Sequence, residues 1–121
     1  MEFRIKNILK ELGISANLKG YHYLETAIAK QLNCKVTDMR MMDLYNSIGQ
    51  VHDTSAYSVE RAMRHAIERG ADRGSYQLWT QLFGHSISPF RGKPTNKEFM
   101  CTVIEYVRTC TKGEECRNGN T

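Results

Sequence analysis

The sequence predicts an all-α domain, a compact bundle of about six helices that contains a helix-turn-helix. Three observations carry this prediction. Apolar residues recur every three or four positions nearly throughout, and no segment shows a convincing period of two. Glycines and short turn clusters separate the helical stretches, and no interdomain linker or internal repeat interrupts them. Thr95 is followed three residues later by Glu98, the spacing of a capping box, in which each side chain satisfies the other residue's free backbone N–H.

Taken in order, Phe3, Ile5, Ile8, Leu9 and Leu12 share one face of a short first helix, with Gly13 placed to end it. A second helix is expected from about Leu18 to Asn33, with Tyr21, Leu24, Ala27, Ile28 and Leu32 inward. A third stretch carries Met39, Met42, Leu44, Tyr45 and Ile48 and breaks at His52, Asp53 and Thr54. The fourth helix starts from an N-cap at Asp53 or Thr54 and runs to about Arg69, burying Val59, Met63, Ala66 and Ile67. A fifth, short helix carries Tyr76, Leu78, Trp79, Leu82 and Phe83 before Gly84. His85 to Lys93 is expected as a loop, and the sixth helix follows with Phe99, Val103, Ile104 and Val107. One domain over 1–110 and a flexible polar tail over 111–121 complete the organisation.

The 121 residues suffice for one domain with one core. Hydrophobic residues at 40% and charged residues at 25% are ordinary globular usage, which argues against wholesale disorder. Seventeen Lys+Arg against thirteen Asp+Glu leave a net charge of +4, which permits a polyanionic partner without requiring one. No run approaches the ~20 apolar residues of a membrane span. The N-terminus lacks an uninterrupted signal-peptide core, and the expected location is therefore the cytoplasm. Cys34, Cys101, Cys110 and Cys116 contain no Cys-x-x-Cys pair, so free thiols are expected and no metal site. His22, His52, His65 and His85 have no nucleophile motif near them, and no glycine-rich phosphate loop is present. The reading is of a protein that is not an enzyme, with no cofactor and no small-molecule substrate.

The helices flanking His52–Thr54 form a helix-turn-helix candidate. Gly49, beside apolar Ile48, is the expected small residue where the second helix of the pair crosses the first, and Val59 fills the angle between them. On the outward side of that second helix, Tyr57, Glu60, Arg61, Arg64 and Glu68 recur at helical spacing opposite Val59, Met63 and Ala66. Arginine pairs bidentately with guanine O6 and N7, and glutamate accepts from cytosine N4. The N-terminal half of a recognition helix is the part that reaches base edges. Spacing alone leaves a solvated face open as well, because Glu60 and Arg64 are also an i,i+4 pair of the kind that stabilises a surface helix by ~0.2–0.5 kcal/mol.

The run Ser58-Val59-Glu60-Arg61-Ala62-Met63-Arg64-His65-Ala66-Ile67-Glu68 resembles the recognition helix of the stage-zero sporulation response regulator, in its C-terminal DNA-binding (effector) domain. Gly20-Tyr21-His22-Tyr23-Leu24, Ala27-Ile28, Leu44-Tyr45, Arg73-Gly74, Leu82-Phe83-Gly84 and Lys93-Pro94-Thr95-Asn96-Lys97-Glu98-Phe99 resemble the same family in the same order, from about Leu12 to Arg108. The resemblance implies six helices, a fourth helix at about 54–69 entering the major groove of double-stranded DNA, and head-to-tail self-association on short promoter boxes. It implies transcription regulation at the nucleoid, with Glu60, Arg61 and Arg64 on bases and His65 and Lys93 on phosphates. Arg91, Lys93 and Lys97 form a basic stretch suited to the backbone, or alternatively a solvated loop.

Four departures from the family pattern carry expectations of their own. The family places a serine and an arginine before the Val-Glu-Arg core, where this chain has Tyr57 and Ser58; Tyr57 is then the residue placed to touch a thymine methyl or stack on a sugar. Gly70-Ala71 replaces an Ala-Trp pair, and helix-interior glycine costs ~0.5–1 kcal/mol, so an early helix end is expected with Trp79 filling the vacated core space. His52 stands where an aromatic core residue is usual. About a dozen residues precede the match, with no room among them for a phosphorylated receiver domain, so the chain is expected to be either an effector domain standing alone or an excised fragment. The alternative function is an interaction module that keeps the fold, does not read DNA, and binds or antagonises a full-length relative.

Overall fold

A computed structural model describes residues 2–33, 40–84 and 93–112. Among them are six helices and no strand: α1 (Glu2–Glu11), α2 (Lys19–Leu32), α3 (Met41–His52), α4 (Ala56–Arg73), α5 (Tyr76–Phe83) and α6 (Asn96–Lys112). Met39, Cys34, Arg91, Cys116, the side chain of Cys110 and residues 85–92 and 113–121, where a loop and most of a tail are expected, lie outside the described residues. No described helix is long and apolar enough to cross a membrane.

Ile5, Ile8, Leu9 and Leu12 bury the inner face of α1, whereas Phe3 is exposed and does not join it. Gly13 ends the helix with φ of 81°, a left-handed conformation that glycine adopts without steric cost. The Ile14 N–H then donates to the Leu9 carbonyl at 3.0 Å, closing the stop. In α3, Leu44, Tyr45 and Ile48 are buried, but Met42 faces solvent.

α4 packs chiefly on α2 and α3. The close approach occurs at Gly20 of α2, where a Cβ would overlap the Ala62 carbonyl oxygen and stand 2.6 Å from the Ala66 Cβ. This corrects the expectation for Gly49. Its missing side chain makes room for the turn itself, since a Cβ there would stand 2.5 Å from the Thr54 carbonyl oxygen.

The entry to α4 also differs from expectation. His52 is the last residue of α3 and not part of the break. Asp53 takes φ of 57° and ends α3, with the Thr54 N–H reaching the Gly49 carbonyl at 2.8 Å. The two residues named as candidate caps are thereby used in stopping one helix, and the cap of the next falls on Ser55. Its hydroxyl accepts from the Ser58 N–H at 3.0 Å.

At its other end α4 continues through Gly70 to Arg73, past the expected stop at Arg69. Gly70 is buried, and a Cβ on it would stand 2.7 Å from Ile14 Cγ1 and 3.3 Å from Trp79 Cζ2. Close packing therefore outweighs the propensity penalty. Trp79 covers this spot as expected: it is 7% exposed, and its ring lies 4.8 Å from Phe83 and 6.0 Å from Phe99. The capping box of α6 forms in both directions, Thr95 N–H to Glu98 Oε1 at 2.9 Å and Glu98 N–H to Thr95 Oγ1 at 3.1 Å. α6 extends to Lys112, two residues into the segment expected as tail.

Candidate nucleic-acid interface

The helix-turn-helix consists of α3, the turn 53–55 and α4. Val59, Met63, Ala66 and Ile67 are buried and brace α4 from behind. Tyr57, Ser58, Arg61, Arg64, His65 and Glu68 are exposed, and Glu60 is partly exposed. The apolar stripe is what turns the charged stripe outward, because both lie on one helix at the same period.

The exposed side chains are already organised among themselves. Arg64 Nη1 donates to Glu60 Oε2 as an i,i+4 ion pair. Arg61 Nη1 donates to the Tyr57 hydroxyl at 3.1 Å, with its guanidinium carbon 5.5 Å from the ring centroid. The two arginines therefore stand in different electrostatic settings. Arg64 is paired with a carboxylate, while Arg61 is held by a phenol hydroxyl. Tyr57 is 67% exposed, so the pair sits at the surface.

Two auxiliary positions are engaged within the protein. The Ser58 hydroxyl accepts from Ser55 Oγ at 3.0 Å, which makes Ser58 part of the α4 cap. Lys93, just ahead of α6, pairs with Asp72 of α4 at 3.2 Å. His22 donates from Nε2 to the Ala16 carbonyl at 2.9 Å. His52 shares a 3.0 Å hydrogen bond with Thr26 Oγ1 and meets Tyr23 edge-on at 5.0 Å. Among the described residues no three His, Cys, Asp or Glu groups gather as metal ligands.

Asn96, Tyr45 and Ser55 were not legible as contributors to this surface. Asn96 Nδ2 donates to the Tyr45 hydroxyl at 3.0 Å and to the Glu60 backbone carbonyl at 3.1 Å. Its partners lie 51 and 36 positions away in the chain, so no local pattern announces it. Burial raises the Tyr45 phenol above its usual 10.0; the Asn96 hydrogen bond opposes this, nearby Glu60 adds to it and Arg64 opposes it. Tyr45 is accordingly a neutral hydroxyl at physiological pH.

An all-helical bundle with a charged stripe on the second helix of a helix-turn-helix is an arrangement that DNA-binding domains use. Residues 5–107 match the family described as sporulation initiation factor Spo0A C terminal, and the chain belongs to that family. This is the DNA-binding domain family of a sporulation regulator and not a catalytic family. Double-stranded DNA is thus the partner class, and transcription regulation the functional class.

Proposed function

We propose that the chain is a sequence-specific transcription regulator whose α4 enters the major groove. In this reading Glu60, Arg61 and Arg64 meet base edges near the N-terminal half of the helix. Tyr57, Ser58, His65 and Lys93 serve the sugar-phosphate backbone or auxiliary contacts, and copies bind head-to-tail on short promoter boxes. The protein then works in the cytoplasm, at the nucleoid. The observation that supports this is the rigid outward stripe on a helix whose opposite face is buried.

The Glu60–Arg64 pair does not oppose base reading. An exposed i,i+4 pair is worth ~0.2–0.5 kcal/mol, whereas a bidentate base contact contributes ~1–3 kcal/mol of discrimination. Exchanging one for the other on DNA is favourable. The same pair, with Tyr57 and Ser58 in place of the family's residues, also suits the second reading, a module that associates with a full-length relative without reading DNA.

Selection of bound sequences from a random duplex pool separates the two. The first reading expects a defined box containing G·C pairs, bound less tightly as salt rises. Replacing Arg61 or Arg64 with alanine should cost ~1–3 kcal/mol on that box and relax one base position. Enrichment of no sequence, together with capture of a full-length relative, would favour the second reading.

A further inference from the structure

Asn96 is a buried amide, 7% exposed at the head of α6. A buried amide must be hydrogen-bonded to be tolerated, and both N–H groups of this one are used. One reaches the Tyr45 hydroxyl of α3, the other the Glu60 carbonyl of α4. The Glu60 carbonyl is acceptor-only, so the amide nitrogen has to face it. Three helices meet at this single group, and the α4 residue it grips is the first of the three proposed base readers.

We infer that Asn96 is a positioning residue for DNA reading: with Tyr45 it locks the roll and height of the first turns of α4, so that Glu60, Arg61 and Arg64 meet the groove in one attitude. The inference rests on the base-reading proposal and deepens it. Functional constellations must be held within about 0.5 Å and 10–20°, and the two directional hydrogen bonds of Asn96 add an orientation constraint to the apolar packing behind α4. The capping box at Thr95 and Glu98 fixes the first turn of α6, which gives Asn96 a rigid base. The Lys93–Asp72 pair ties Lys93, just ahead of α6, to the far half of α4.

The test compares the parent chain with Asn96→Ala and Tyr45→Phe on two duplexes, the box selected by the parent and a random sequence of equal length. Circular dichroism melting checks that each variant is folded. Asn96→Ala should narrow the ratio of box to random affinity about tenfold, while random-duplex affinity stays within about twofold. Tyr45→Phe should narrow it less, since the Glu60 contact survives. It keeps the ring packed and decides the matter should Asn96→Ala not fold. An unchanged ratio in folded variants overturns the inference alone, as does an equal loss on both duplexes that tracks melting temperature. A parent that shows no preference for any box overturns both the base-reading assignment and this inference.

Discussion

The indole nitrogen of Trp79 donates to the Leu12 carbonyl oxygen at 3.0 Å, joining α5 to the end of α1 across 67 positions of sequence. The contact sits beneath the C-terminal half of α4 and packs against Gly70. Truncation to alanine should cost ~3–5 kcal/mol, a large share of the ~5–15 kcal/mol typical of a domain. Trp79→Phe should cost ~1–3 kcal/mol, because the Leu12 carbonyl is left unpaired. Urea midpoints measure both, and a Trp79→Phe variant as stable as the parent would mean that the hydrogen bond contributes nothing.

Gly20→Ala tests the crossing of α2 and α4. Alanine favours a helix over glycine by ~1 kcal/mol, so helix propensity alone expects stabilisation. The Ala62 carbonyl occupies the space instead, and overpacking of this kind costs ~1–3 kcal/mol. A melting temperature below the parent's is the expected result.

Ser55→Ala should destabilise the fold by about 1 kcal/mol, the usual worth of an N-cap side chain. Thr54→Ala should cost less than about 0.5 kcal/mol. Chemical denaturation of the pair reports which residue caps α4, and the reverse ranking would return the cap to Thr54.

Tyr45 makes stability depend on alkaline pH. Its folded-state pKa is raised, so the unfolded chain loses this proton first as pH climbs past the ordinary 10.0. The contribution is fully present below that value and declines above it. Tyr45→Phe removes the dependence while leaving the other tyrosines in place, so the stability difference between parent and variant should shrink between neutral pH and pH values above 10.0. A constant difference across that range would contradict the raised value.

Elements whose causes are local were readable from the residues. The Thr95/Glu98 box, the Gly13 stop and the apolar stripes of α2, α4 and α6 depend on neighbours within four or five positions, and each lies where its pattern placed it. The outward stripe of α4 followed from the same periodicity. Phe3 and Met42 were misplaced because periodicity says which residues share a face and not where the partner surface ends. The start of α4 was misplaced because the Asp53 conformation, chosen by the packing of α3 against the turn, moved the cap to Ser55.

Sequence by itself determined the number and order of the helices, the face of α4 that turns outward, and the family, because those follow from short-range periodicity and motif. Tertiary structure alone decided that Gly20 is the crossing point, that α4 runs through Gly70, and that Asn96 grips the Glu60 carbonyl. Each of these depends on groups dozens of positions apart meeting at van der Waals or hydrogen-bond distance. Such meetings are set by how whole helices pack, and a linear pattern does not encode them.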